Sequence, residues 1–181
     1  MNEAWVLIIE LLMLLLAIGA LIFISSVAIT SIIGVPFVPT GKKSAQCMFR
    51  MAELREGERV ADLGCGDGSL LIVAARDFGA TGIGYEFNPW LCLLARLRVR
   101  LAGVSDRVKI KRANFFKTDL PEADVVACYL LDTVQKDLEP RLIESYPSGT
   151  RIVSHGFSSP NLNLIKEEKT KRHRFLLYTI P

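Results

Sequence analysis

An α/β domain behind one membrane-crossing helix is the fold this chain predicts, on three observations. Val60–Ser69, VADLGCGDGS, reads as a buried strand entering a glycine-rich turn that opens a helix. TGIGYEFNP reads as a second strand, with Glu86 at its carboxyl end roughly twenty residues beyond the glycines. Ahead of both, Ala4–Ile33 runs for about thirty residues with Glu10 as its one charge.

The apolar run is long enough to cross a bilayer with tilt. A cleavable signal peptide has a basic leader and an apolar core of roughly 7 to 15 residues, whereas Asn2 and Glu3 precede this longer run. Glu10 stands about two turns inside the helix, near the expected interface. Lys42, Lys43, Arg50 and Arg55 follow the helix, which directs the domain after it to the cytoplasm and the N-terminus outside. The expected division is an anchor over 1–34 and one domain over 35–181.

Within that domain, helix and strand alternate. Ser44–Leu54 is expected as a helix and Arg59–Leu63 as the first strand. Gly64, Gly66 and Gly68 let the backbone turn tightly, and a helix starts at Ser69. Thr81–Glu86 forms the second strand. Asn88 and Pro89 make an N-cap and first-turn pair for a helix through Leu101, which Gly103 stops. Val108–Ala113 is a third strand whose Lys109 and Lys111 suit a sheet edge. Asp124–Leu130 is a fully apolar fourth strand, Asp137–Tyr146 a helix, and Thr150–His155 a fifth strand. Asn161–Ile180 offers two short strands about the run EEKTKR, as in an antiparallel hairpin.

Composition adds bounds. Half of the 181 residues are hydrophobic and the mean hydropathy is +0.31, which the N-terminal run explains. A net charge of +3 is too small to imply nucleic acid. Cys47, Cys65, Cys92 and Cys128 show no metal-ligand spacing and read as reduced, buried thiols, so no metal is expected. Arg96, Arg98 and Arg100 read as a solvated face, with lipid headgroups as an alternative contact.

The chemistry starts at Asp62. A carboxylate at the end of the first strand, ahead of GxGxG, suits a cationic amine better than a pyrophosphate, and Glu86 is placed for ribose hydroxyls. DLGCGDG together with Glu86 resembles the class I S-adenosylmethionine-dependent methyltransferases. That resemblance implies a Rossmann-like seven-strand sheet with helices on both faces and S-adenosyl-L-methionine as cofactor. Asp62, Gly64, Cys65, Gly66 and Gly68 would hold its methionine part, Glu86 its ribose, and Asn114 and Phe115 its adenine. Many members carry an acid where Asn114 stands; an amide still meets an adenine edge, or it simply turns the chain. Phe115 is available to pack on the base.

After the membrane helix comes VPFVPT, Val35–Thr40, and later YEFNPWL. This order is similar to the membrane-anchored lysine methyltransferases of the ATP synthase c-subunit and the adenine nucleotide translocase. By that resemblance the substrate is a lysine of a membrane protein, and Pro36, Phe37, Pro39 and Thr40 border the acceptor side; no nucleic acid is expected, since CYLLD at the end of the fourth strand lacks the Pro-Pro-aromatic pattern of enzymes that methylate exocyclic amines. The same segment also reads as a stiff linker. Other readings are a lipid-headgroup methyltransferase and a sensor that binds the cofactor without turnover.

A lysine acceptor must be neutral to use its lone pair, which at pH 7 costs about 4 to 5 kcal/mol from a pKa near 10.4. Tyr129 and Asp132, past the fourth strand, stand where this class meets its acceptor. Tyr129 would orient the amine or merely cover the pocket. Asp132 would attract the ammonium, accept its proton, or cap the next helix. His155 and His173 read as structural or solvated.

Overall fold

The structure, a computed structural model, describes residues 3–33, 37–156, 158–170 and 173–181. The chain divides into two compact units, Met1–Phe37 and Val38–Pro181. The first holds helix α1, Glu3–Ile33. Its stretch Glu3–Ser25 is long and apolar enough to cross a membrane, and none of that stretch is buried in protein. An apolar helix serving as a protein core would be covered.

The second unit holds α2 (Lys42–Met51), β1 (Arg59–Leu63), α3 (Ser69–Phe78), β2 (Thr81–Glu86), α4 (Pro89–Leu101), β3 (Val108–Arg112), β4 (Val125–Cys128), α5 (Asp132–Ser145), β5 (Arg151–His155), β6 (Asn163–Lys169) and β7 (Arg174–Thr179). Seven strands form one sheet in the order β3-β2-β1-β4-β5-β7-β6. The first five strands run parallel, and β7 is antiparallel to both β5 and β6. β3 is an edge strand, as its lysines indicate, and the C-terminal hairpin forms the other edge.

Alternate residues on each strand feed two cores. Val60, Val125, Ala127, Val153, Phe175 and Leu177 pack with buried residues of α2, α3 and α4, among them Met48, Phe49, Leu71 and Ala95. On the opposite parity, Ala61, Leu63, Val126, Ile152 and Leu176 are buried, as are Leu138 and Leu142 of α5.

Three elements depart from expectation by two residues or more at an end. α2 lies two residues earlier at its start and stops at Met51, because Ala52 caps it and Glu53 takes a left-handed φ of 49°. α5 begins at Asp132, five residues before the expected Asp137, and runs through Pro140. Gln135, Leu138 and Leu142 bury one of its faces, and Asp132 pairs with Lys136 across its first turn, which outweighs the hydrogen bond lost at the proline. β4 is confined to Val125–Cys128, so Tyr129, Leu130 and Leu131 form the exit from the strand.

Candidate active site

At the carboxyl end of β1 the chain enters left-handed backbone at Gly64, Gly66 and Gly68, with φ of 90°, 53° and 77°. The end of β2 holds this loop: the N–H groups of Gly64 and Cys65 both donate to the Tyr85 carbonyl, at 2.8 and 3.0 Å. A Cβ on Gly64 would stand 3.0 Å from Leu130 Cδ2 and 3.8 Å from Phe115 Cε1. The turn therefore meets the exit of β4 and the loop after β3, and only glycine keeps the three apart. Cys65 is buried with its thiol against β2, where a Cβ on Gly84 would lie 2.6 Å from Sγ. Its side chain belongs to the core; its backbone belongs to the loop.

Asp62 and Glu86 meet beneath this turn. Asp62 is 2% exposed, and its Oδ2 is buried without a hydrogen-bond partner among the described residues. Burial first, then the charge of Glu86, lifts its carboxyl to about 8. Glu86 accepts from Gly66 N–H at 2.9 Å and from Asn88 N–H at 2.7 Å. Burial raises its pKa, opposed by these backbone donors and that of Phe87. Among the described residues neither carboxylate has a salt-bridge partner. Two buried acids with an unsatisfied oxygen call for a cation and for hydroxyl donors. The ammonium of an amino acid against Asp62, and ribose hydroxyls on the remaining lone pairs of Glu86, meet that demand, so these residues fit S-adenosylmethionine.

Asn114 takes the turn role: its Oδ1 accepts from the Phe116 N–H at 2.9 Å, leaving its amide NH₂ for other use. Phe115 is buried against the glycine turn, with the Phe116 ring 4.8 Å away. Parallel register sets Asp62 opposite Ala127 and Cys128 opposite Ser154, so Tyr129 and His155 emerge side by side at the carboxyl edge. Their rings stack at 4.1 Å. His155 is buried, its Nε2 lies 3.1 Å from His173 Nδ1, and its Nδ1 has no partner among the described residues. Burial and then His173 hold its pKa down at about 4. Asp132 opens α5 with its carboxylate 2.7 Å from Lys136 Nζ, so it is a first-turn residue after the N-cap Leu131. Phe37 and Thr40 are half-buried and Pro39 exposed in the irregular segment before α2, whereas Pro36 lies outside the described residues. Lys42 and Gln46 of α2 both bind Asp77, near the end of α3 away from the glycine turn.

Sequence reasoning missed two supports of the site. Asp67 accepts from Ser69 N–H and Oγ at 3.1 and 2.6 Å and is ion-paired with Arg98, which pins the start of α3 to α4. An acid two residues before a helix start is a readable capping signal. The other is His155 beneath Tyr129, which only the strand order brings together.

Asp62 ahead of a glycine turn, Glu86 at the next strand end and a sheet ordered 3-2-1-4-5-7-6 define a class I S-adenosylmethionine-dependent methyltransferase. Solved structures agree. An RNA methyltransferase from Salinibacter ruber, in complex with S-adenosyl-L-homocysteine, superposes with a TM-score of 0.77 at 38% identity, over 80% of this chain and 94% of that one. The family model described as the ANTKMT methyltransferase domain matches residues 62–166, and the chain belongs to that family. A protein-lysine N-methyltransferase from Saccharolobus islandicus is 38% identical over 151 residues, covering 81% of this chain and 94% of that protein. The adenine nucleotide translocase lysine N-methyltransferase of Mus musculus is 35% identical over 126 residues, 70% of this chain. The chain spans only 55% of that mouse protein's length.

Proposed function

We propose that this enzyme methylates a lysine side chain of a membrane-associated protein, using S-adenosylmethionine from the cytoplasmic side. The observation that carries the reading is the buried, unpartnered Asp62 Oδ2 beside Glu86, in a chain whose similarity to an archaeal protein-lysine methyltransferase extends over 94% of that protein. Residues 1–34 serve as a single-pass anchor with the N-terminus outside, and residues 35–181 as the catalytic domain. The length of α1 and the cluster Lys42, Lys43, Arg50 and Arg55 support this topology. Two mouse relatives, named as lysine methyltransferases of the adenine nucleotide translocase and of an ATP synthase component, support a membrane-protein target.

When bound, the cofactor supplies a methyl group activated on a sulfonium. Asp62 holds its ammonium, Glu86 its ribose, the backbone of Gly64 through Gly68 its methionine part, and Phe115 with the Asn114 amide its adenine. Tyr129, held in orientation by the His155 stack, faces the incoming amine. Asp132 attracts the lysine as its ammonium, and the apolar Leu130 beside the turn disfavours the charged form of the amine. Orientation and desolvation carry most of the catalytic burden. The placement of Pro36, Phe37, Pro39 and Thr40 on the acceptor side rests on the family resemblance alone.

The test is transfer of labelled methyl into membranes of the source cell, with protein, lipid and RNA fractions separated. Label recovered as methyl-lysine, and lost with Glu86→Ala, is the expected result. Label in the lipid or RNA fraction overturns it, the latter being the chemistry named for the Salinibacter protein.

A further inference from the structure

Helix α4 turns Leu91, Cys92, Ala95 and Val99 toward the sheet. Its outward face is also apolar. Trp90, Leu93, Leu97 and Leu101 are 40, 58, 52 and 78% exposed. Their spacing of three, four and four residues puts them in one stripe about 80° wide, at 100° per residue. Phe87, also exposed, extends the stripe toward the end of β2. Helices of soluble domains ordinarily present polar side chains on such a face.

The charges that α4 itself carries have one sign. α4 carries Arg96, Arg98 and Arg100 and no acid. Arg96 and Arg100 border one side of the stripe; Arg98, on the other, is already engaged by Asp67. Arg96 reaches the Ile110 carbonyl through Nε and Nη2, at 3.2 and 3.1 Å, without losing its charge to an acid. Arg112 of β3 is exposed and bears on Cys92 of α4 with Arg96. An apolar stripe bordered by Arg96 and Arg100, with a tryptophan at one end, is the arrangement of a helix lying in a membrane interface, its rings and leucines among the acyl boundary and those two guanidinium groups at anionic headgroups.

We propose that this face of α4 rests on an anionic lipid surface. The inference depends on the anchor reading only for its strength, since a tether raises the local concentration of lipid and lets a modest contact persist. Its functional consequence follows from the sequence Glu86-Phe87-Asn88-Pro89-Trp90. The residues that enter the lipid boundary flank the ribose-holding acid, so the rim of the groove lies at headgroup level. Lysines a few ångströms from the bilayer surface become the accessible acceptors.

The chain has two tryptophans, Trp5 in α1 and Trp90 in α4, which lets the anchor and the contact be read separately. Full-length protein is placed in nanodiscs of phosphatidylglycerol and phosphatidylcholine with brominated acyl chains, as Trp5→Phe or as Trp90→Phe. In Trp5→Phe, Trp90 emission is expected to fall at least twofold and to resist acrylamide. Adding Leu93→Ser and Leu97→Ser is expected to restore the emission, as is replacing phosphatidylglycerol by phosphatidylcholine. Trp90 left bright and open to acrylamide overturns the proposal, and so does Trp90 shielded from both quenchers, which signals a protein partner or a second copy. Trp5 left unquenched in Trp90→Phe overturns the anchor reading instead, whatever Trp90 shows.

Discussion

Cofactor affinity should rise steeply as pH is raised from 6 to 8, and Asp62 sets the size of the effect. Its carboxyl titrates at about 8 in the free protein, because burial and the neighbouring Glu86 both disfavour a second negative charge. On the proposed assignment, the ionised form is the one that holds the cofactor's ammonium. About one molecule in a hundred carries that form at pH 6, about one in eleven at pH 7 and half at pH 8. Apparent affinity scales with the competent fraction, so the dissociation constant should fall roughly fiftyfold across this range. Binding at pH 7 should also release nearly one proton, about 0.9 per site. Calorimetric titration with S-adenosylhomocysteine in buffers of different ionisation enthalpy measures both quantities. Asp62→Asn removes the titrating group and reports any titration that belongs to the ligand. A flat affinity between pH 6 and 8, or the same slope in Asp62→Asn, would refute the assignment of Asp62 as the cation-binding group.

Gly64→Ala should destabilise the fold by about 1 to 2 kcal/mol in denaturant titration, since φ is 90° and the new methyl meets Leu130 at 3.0 Å. Leu130→Ala in that background should recover the steric part and leave the backbone part. Below pH 6.5 the unfolded chain protonates His155 while the native state, with its pKa near 4, does not, so stability is lost as pH falls through that window. The loss from this residue reaches up to about 3 kcal/mol by pH 4 and should be missing from His155→Phe when the two proteins are melted side by side. Asp132→Asn should raise KM for the lysine substrate by about two- to fivefold with kcat unchanged, and Lys136→Ala, which frees the carboxylate, should lower KM. A fall in kcat for Asp132→Asn would instead make Asp132 the proton acceptor.

Most of the layout was legible because two periods are unambiguous here. β1 and β2 match their expected bounds, and α4 begins and ends where Asn88, Pro89 and Gly103 signal. The positions of Asp62 and Glu86 at the carboxyl ends of β1 and β2 were readable, since both precede obligatory turns. α5 was misjudged at its start because Thr133, Val134 and Gln135 have no decisive helical preference; burial of Gln135 and Leu138 against the sheet decides the matter, and burial is not local. The early end of α2 has the same origin, as Arg151 of β5 donates to the carbonyls of Ala52 and Glu53 and fixes that end of the helix. Tyr129 and His155 come from neighbouring strands, and their stack could not be read before the strand order. Cys65 belonged to the loop by sequence, yet the missing side chain of Gly84 leaves the space into which its thiol folds away from the groove.

Four backbone N–H groups, those of Gly64, Cys65, Gly66 and Asn88, end on only two residues, the Tyr85 carbonyl and the Glu86 carboxylate. The protein's own bonds thus hold the glycine turn against the end of β2. Capture requires no loop to fold first, and little ordering entropy is spent at the moment of encounter. Substitutions in a pocket held this way are expected to act mainly on how long the ligand stays. Exchange of spent for fresh cofactor is then governed by dissociation from the pocket.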